Sequence, residues 1–211
     1  MPHLSYSLSG RTLFCMILEG LVTTLDPAGA MHLAAMGPEI DDCRLNGAAG
    51  SAPAIERLLL KPFASSQTGG NLLTRPEGVF HVTDDSLLLA RVVTGRLDPP
   101  PVARPATAVR GWVLDDACRA YEFKVEASDT SQERLRLEAR VVAVHEGRPF
   151  LGFNRARHAV VEGAILVTRV HLLGAEEVSR QLRDLAVIVG KTGGPREHEA
   201  FRLLEEKVAA G

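Results

Sequence analysis

The sequence predicts an antiparallel β-barrel of about six strands carrying a C-terminal helical section of about 55 residues, and three observations predict it. Leu135, Leu137, Ala139, Val141 and Ala143 alternate with Arg136, Glu138 and Arg140, the period-two pattern of a half-buried antiparallel strand. From Asn154 the period changes: Ala156, Val160, Gly163, Ala164, Val167 and Val170 recur at three- and four-residue spacing. Strand-like segments come first and helix-like segments last, so the chain lacks the βαβ alternation of a parallel sheet.

Residues 14–24 (FCMILEGLVTT) are apolar and β-branched, and Asp26-Pro27-Ala28-Gly29 is a turn signal before a second apolar run that stops at Gly37-Pro38. Together they predict a hairpin. Residues 45–54 have loop composition, a third strand is expected near 55–63, and a fourth near 79–83. Asp84-Asp85-Ser86 opens a helix over LLLARVV that Gly95 ends. The proline-rich stretch 98–108 is expected to be irregular. Strands follow over 120–127 and 135–145, then helices over 154–171, 175–190 and 195–210.

The 211 residues are enough for a substantial core. A net charge of -2 gives no basic excess for nucleic acid or an anionic membrane surface. Cys15, Cys43 and Cys118 are widely spaced without a CxxC pair, so they indicate neither a disulfide framework nor a zinc site. No apolar run reaches the roughly 18 residues of a membrane span, and the N-terminus shows no secretory pattern. A cytoplasmic protein is expected.

The stretch KPFASSQTGGNL, residues 61–72, stands out between two predicted strands. Its hydroxyls, unencumbered glycine N–H groups and leading lysine are what a phosphate accepts hydrogen bonds from. The same residues also build ordinary polar turns, which composition alone favours.

GLVTT (20–24), AAMGPE (34–39), KPFASSQTGGNL (61–72) and GVFHVTDD (78–85), taken together, resemble the FMN-binding split-barrel superfamily of flavin reductases and pyridoxamine phosphate oxidases. Thr68, Asn71, Gly78 and Phe80 match its pattern of a threonine, an asparagine three residues on, a glycine turn and an apolar strand. With FNRARHAVVEGAILVTR (153–169), the chain more closely resembles the family known as domain of unknown function 447. Two positions depart from that family: Gly69 stands where an aromatic is usual, and Ala35 where proline is. The resemblance implies a split β-barrel flavin domain over residues 12–152, with a helical section over 153–211 packed on it, and FMN as cofactor. It assigns Lys61, Ser65, Ser66 and Thr68 to the phosphate. Asn71 would meet the flavin edge or brace the loop, and Thr23, Thr24, Met36 and Gly37 would lie along the ring. It also implies a homodimer with sites at the subunit boundary, which the strand at 135–145 would serve, and a redox partner with NAD(P)H as a candidate.

Arg155, His158, Glu162 and Arg169 form a polar stripe on the first C-terminal helix, either a solvated face or the lining of the dimer interface or, with Arg155 and His158 touching flavin, of the cleft. Gly190-Lys191-Thr192 ends like a nucleotide P-loop, but Leu185 occupies the first glycine position. The Asp41-Asp42, Asp84-Asp85 and Asp115-Asp116 pairs fall where capping explains them, no metal site is indicated, and the histidines are scattered singly. Catalytic residues are not identified. Two functions follow: an FMN-dependent oxidoreductase of unknown substrate, or a flavin-binding or dimeric scaffold without turnover.

Overall fold

The computed structural model describes residues 6–8, 11–13, 15–41 and 55–211, with side chains for 16–40 and 55–211. The expected loop at 45–54 lies outside them. In chain order the strands are β1 (Tyr6–Leu8), β2 (Arg11–Leu13), β3 (Cys15–Ile17), β4 (Leu21–Leu25), β5 (Met31–Ala35), β6 (Glu39–Asp41), β7 (Arg57–Leu60), β8 (Glu77–Val82), β9 (Ala103–Pro105), β10 (Trp112–Leu114), β11 (Arg119–Asp129) and β12 (Arg136–Glu146). The helices are α1 (Gln67–Thr74), α2 (Ser86–Thr94), α3 (Arg155–Thr168), α4 (Val170–Leu173), α5 (Ala175–Thr192) and α6 (Pro195–Ala209).

The predicted first hairpin is the key to the sheet. Its arms, β3–β4 and β5–β6, keep one register from Cys15 opposite Asp41 to Leu25 opposite Met31. Leu18 N–H to Pro38 O and Met36 N–H to Gly20 O carry that register across the gaps between strands. One arm pairs with β7 through β6, the other with β8 through β4. The pairs β7–β12, β12–β11 and β11–β8 complete the circuit, all antiparallel. The sheet therefore curls back on itself as a barrel, which is the predicted fold class. At the hairpin turn, Asp26 Oδ1 accepts from Ala30 N–H, and Gly29 takes the left-handed φ of 87° that the turn requires.

Side chains alternate between two faces of this ring. Val22, Phe80, Tyr121, Phe123, Leu58, Leu60, Leu137 and Ala139 fill the interior. Leu21 and Leu33 point outward into a second core built by α2, α3, α5 and α6. Val79 and Ala120 point outward under Val109 and Val113 of the excursion between α2 and β11. The strand at 136–146 is a barrel wall whose inward residues Leu137 and Ala139 are 0% exposed, while Val144 is 48% exposed.

Two expectations are corrected. The segment taken for a polar loop turns into helix α1, because Ser66 caps it: its Oγ accepts from Gly69 N–H at 3.1 Å. The proline-rich stretch is not wholly irregular, since Ala103–Pro105 pairs with β10 as a short ribbon. Elsewhere the punctuation acts as read. Asp85 caps α2 through Leu88 N–H at 3.0 Å, Gly95 ends it at φ 74°, and Asn154 caps α3.

Two buried acids tie the layers together. Asp84 accepts from Arg148, from Leu151 N–H at 2.8 Å and from Arg157 Nη1 at 3.1 Å. Arg157 in turn reaches Glu197 of α6 at 3.1 Å. Burial alone would raise the Asp84 pKa, but these donors outweigh it and hold it at about 2. Glu122, 0% exposed on the outer face of β11, accepts from the N–H groups of Thr107, Ala108 and Val109, the Thr107 hydroxyl and His145 Nε2. His81 pins the same excursion from β8: its Nε2 accepts from Leu114 N–H at 3.1 Å, which leaves Nδ1–H to donate to Leu21 O. Burial lowers its pKa to about 4, so the ring is neutral.

Replacing Glu122 by Ala strands three backbone N–H groups and should cost roughly 3 kcal/mol or more in urea unfolding. Burial pushes the Glu122 carboxyl up, but Thr107 N–H, His145 and Ala108 N–H outweigh it and hold the pKa at about 2, below the ordinary 4.5. Its contribution is therefore full above the ordinary value and lost as pH falls toward about 2. The acid limb of a melting-temperature profile should be shallower in the Ala variant than in the wild type.

Candidate functional site

A groove of about 420 Å³ opens where the barrel meets the helices. Its lining comes from Ala34 to Gly37 at the end of β5, from Lys61 to Phe63 and the first turn of α1, from α2, and from α3. Lys61, Ser66, Thr68 and Arg134 bring charge and hydroxyls from one side. Leu89, Val93, Val161, Ala164 and Ile165 bring apolar surface from the other. Glu19 and Arg169 also line it.

The polar side is built by local geometry. Ser66 Oγ donates to Phe63 O at 2.7 Å while capping α1. The turn is so tight that a Cβ on Gly69 would lie 2.4 Å from Phe63 O, so no side chain fits there. This accounts for the first of the adjacent glycines. Gly70 meets nothing within 4 Å and carries no such constraint. The N–H groups of Gln67 and Thr68, at the first helical positions, have no intrahelical acceptor. Thr68 Oγ1 lies 3.1 Å from His32 Nε2 on β5. Burial lowers the His32 pKa, partly opposed by Asp26. Lys61 pairs with Glu39, and the Arg134 guanidinium lies 4.0 Å over the Phe63 ring.

Of the residues singled out from sequence, Met36, Gly37, Lys61, Ser66 and Thr68 line this groove. The others are placed elsewhere. Thr23 and Thr24 are fully buried: Thr23 Oγ1 donates to Trp112 O at 2.6 Å, and Thr24 Oγ1 accepts from Asn71 Nδ2 at 2.9 Å. Asn71 therefore braces α1 against β4. Ser65 is exposed on the turn before α1. Arg155 and His158 stand exposed on α3, outside the groove lining. His158 packs edge-on against Phe153 at 5.8 Å and borders a separate cavity of about 110 Å³ with Asp84 and Arg157. Sequence reading missed Glu19, Phe63, Arg134 and the α3 residues Val161, Ala164 and Ile165 as lining. Only Glu19 left a signal, as the charge that interrupts an apolar run. Among the described residues no group of three or more His, Cys, Asp or Glu could hold a metal, and no helix is long and apolar enough to cross a membrane.

Two family models cover most of the chain: residues 18–148 match the N-terminal domain of a protein of unknown function, DUF447, and residues 154–206 match its C-terminal model. The chain belongs to the DUF447 family. This DUF447 chain is also similar to solved structures. The crystal structure of an FMN-bound DUF447 protein from Methanosarcina mazei matches with a TM-score of 0.73 at 21% identity, over 90% of this chain and 94% of that one. The flavin reductase of styrene monooxygenase from Pseudomonas putida S12 matches at 0.47 and 15% identity, over 65% and 84%. Flavoredoxin of Desulfovibrio vulgaris (Miyazaki F) matches at 0.47 and 15%, over 69% and 78%. At these identities the likeness speaks to the fold. Among curated proteins there is no match.

The two glycines of α1 should respond oppositely to alanine. Gly70→Ala should stabilise the protein by about 0.5–1 kcal/mol, as a helix residue facing open space. Gly69→Ala should destabilise it through the clash with Phe63 O. Urea unfolding of both variants without added ligand checks the pair.

Proposed function

We propose that this DUF447 protein binds FMN in the groove and works as a flavin-dependent oxidoreductase, assembled as a homodimer. The observation that carries the reading is the two-sided lining: cations, hydroxyls and free helix N–H groups on one side, apolar surface on the other, in a volume within the range of about 300–1,000 Å³ common for small-molecule sites. A phosphate-bearing, flat-ringed ligand has the matching division. The FMN named for the Methanosarcina mazei protein of the same fold supports the reading.

Thr68, Lys61, Arg134 and the α1 N-terminus would hold the phosphate. Lys61 has three donors and Glu39 occupies one, so it can serve both. Ser66 is committed to the cap and acts by fixing the turn. Met36 and Gly37 would take the ring against Val161 and Ile165. At Gly37 a Cβ would come within 2.6 Å of Ile17 Cγ2, so close packing itself demands glycine. Bound flavin supplies the hydride and electron chemistry, and the chain positions it and excludes water. The proposed reductant is a dihydronicotinamide such as NAD(P)H. A reducing cytoplasm is the proposed location, in keeping with the buried free thiol of Cys118.

The dimer reading is supported by exposed apolar residues around the site: Ile17 lines the groove, Phe150 borders the adjoining cavity, and Leu151 and Phe153 are 76% and 91% exposed.

Titration with FMN, followed by quenching of flavin fluorescence, should show saturable binding. Thr68→Val or Lys61→Ala should weaken it by roughly 1.5–3 kcal/mol, or about ten- to a hundredfold. A wild-type protein that binds no FMN overturns the function. The loaded protein should oxidise NAD(P)H, and absence of turnover with intact binding would leave a non-catalytic flavin carrier. The wild type should sediment as a dimer at micromolar concentration and Phe153→Asp as a folded monomer. A monomeric wild type overturns the assembly.

A further inference from the structure

Glu19 lines the groove, and no cation or hydrogen-bond donor among the described residues claims it. The other groove carboxylate, Glu39, is paired with Lys61. The carboxyl of Glu19 packs beside Gly37, where a Cβ would stand 2.8 Å from its Oε2. Glu19 also borders the cavity of about 110 Å³ formed with Thr83, Asp84, Ser86 and His158. It therefore stands between the groove on one side and, on the other, a mixed chamber in which Thr83, Asp84, Ser86 and His158 face Leu89, Phe150 and Val161. That chamber has room for water, which needs about 30 Å³ per molecule in the liquid, and its polar groups offer such water partners.

The charged groups facing it are few once internal pairs are set aside. Asp84 is held by Arg148 and Arg157, Asp85 by Arg196, and Glu39 by Lys61. That leaves Glu162 and His158 on α3, Arg169 just past its end, and Arg134 across the groove. Burial raises the Glu19 pKa, Glu162 raises it further, and Arg169 lowers it. An unpaired carboxyl in such a field takes up a proton more readily than an ordinary one.

We propose that Glu19 is the proton-exchange group of the groove: it takes up a proton when the bound flavin is reduced and releases it on reoxidation. The inference rests on the flavin reading above. A dihydronicotinamide delivers a hydride, two electrons and one proton, and leaves as the oxidised pyridinium; the ring gains one negative charge. The Glu19 carboxylate offsets that charge by forming one O–H bond with a proton from solvent, drawn past the polar groups of the adjoining cavity. The bond breaks again when an electron acceptor takes the two electrons, and two protons, the one on Glu19 and the one that arrived with the hydride, return to solvent or leave with the acceptor.

The test is the reduction potential of the FMN-loaded protein as a function of pH from the ordinary carboxylate value upward, where a raised carboxyl and a charged ring interact. Wild type is compared with Glu19→Gln, which keeps the size and removes the titration, and with Glu19→Asp, which restores a carboxyl. Wild type should bind up to one more proton per two electrons than the Gln variant somewhere in that window, seen as a steeper fall of potential with pH. The Asp variant should recover part of the difference. Proton uptake on dithionite reduction, read with an indicator dye in weak buffer, should show the same excess. Superimposable slopes for wild type and Gln, both FMN-loaded, overturn the assignment and leave the flavin reading intact. A wild type that binds no FMN overturns both.

Discussion

The carboxylate of Asp84 is the joint on which the rest of the molecule depends. It sits at the end of β8, where the barrel stops, and receives an arginine from the linker, a linker N–H and an arginine from α3, which passes the connection on to Glu197 of α6. Its side chain is 3% exposed, so these partners work in a medium that screens them weakly. Removing one partner of such a cluster costs about 3–5 kcal/mol because the others are left buried and unbalanced. The groove exists only while α3 stays across from the end of β5, and Asp84 ties α3 to the end of β8, with the apolar packing of Ala156, Val160 and Ala164 behind it.

The outer face of the ring shows how one alternating pattern can serve several layers. On β4, β8 and β11 every second residue enters the barrel, and the residues between them meet either the helices or the excursion. Where that outer contact is with backbone, the strand supplies a polar side chain: Thr23 to Trp112 O, His81 to Leu114 N–H, Glu122 to three successive N–H groups. The excursion carries prolines and little regular structure, so its backbone groups need partners from elsewhere. Buried polar residues on these strands are therefore the means by which a nearly structureless segment is fixed to the sheet.

The fold was legible because it rests on periodicity, which needs no knowledge of what lies opposite. The strand at 136–146 and the helix at 155–168 declared themselves by spacing alone. Helix α1 was not legible: eight residues with two adjacent glycines have almost no intrinsic helicity, and the helix stands through the Ser66 cap, the Asn71–Thr24 bond and Leu72 in the barrel core. The site was legible only in part, for the same reason. Lys61, Ser66 and Thr68 cluster in sequence and were found. Arg134 arrives because its backbone bridges to Phe63, and Val161, Ala164 and Ile165 have the spacing of any buried helix face. Thr23 and Thr24 lie outside the groove, and Asn71 takes the bracing role, one of the two expected of it, because ligand binding and internal bracing use the same side chains.

The hairpin that closes the ring does so unevenly. Its β4 arm shares three register pairs with β8, from Leu21 opposite His81 to Thr23 opposite Val79, whereas among the described residues its β6 arm meets β7 at a single pair, Glu39 opposite Leu59. Regions held by few contacts are where a native protein opens first, so the cheapest fluctuation of this barrel is an unzipping along that seam. Lys61 and Glu39 bridge the two sides of it, and both also line the groove. A molecule seated in the groove spans the same parting, touching the hairpin at Met36 and the β7 side at Lys61. If the groove binds a ligand as proposed, occupancy and breathing of the barrel form one coupled equilibrium: filling the groove would lock the ring, and loosening the ring would empty it.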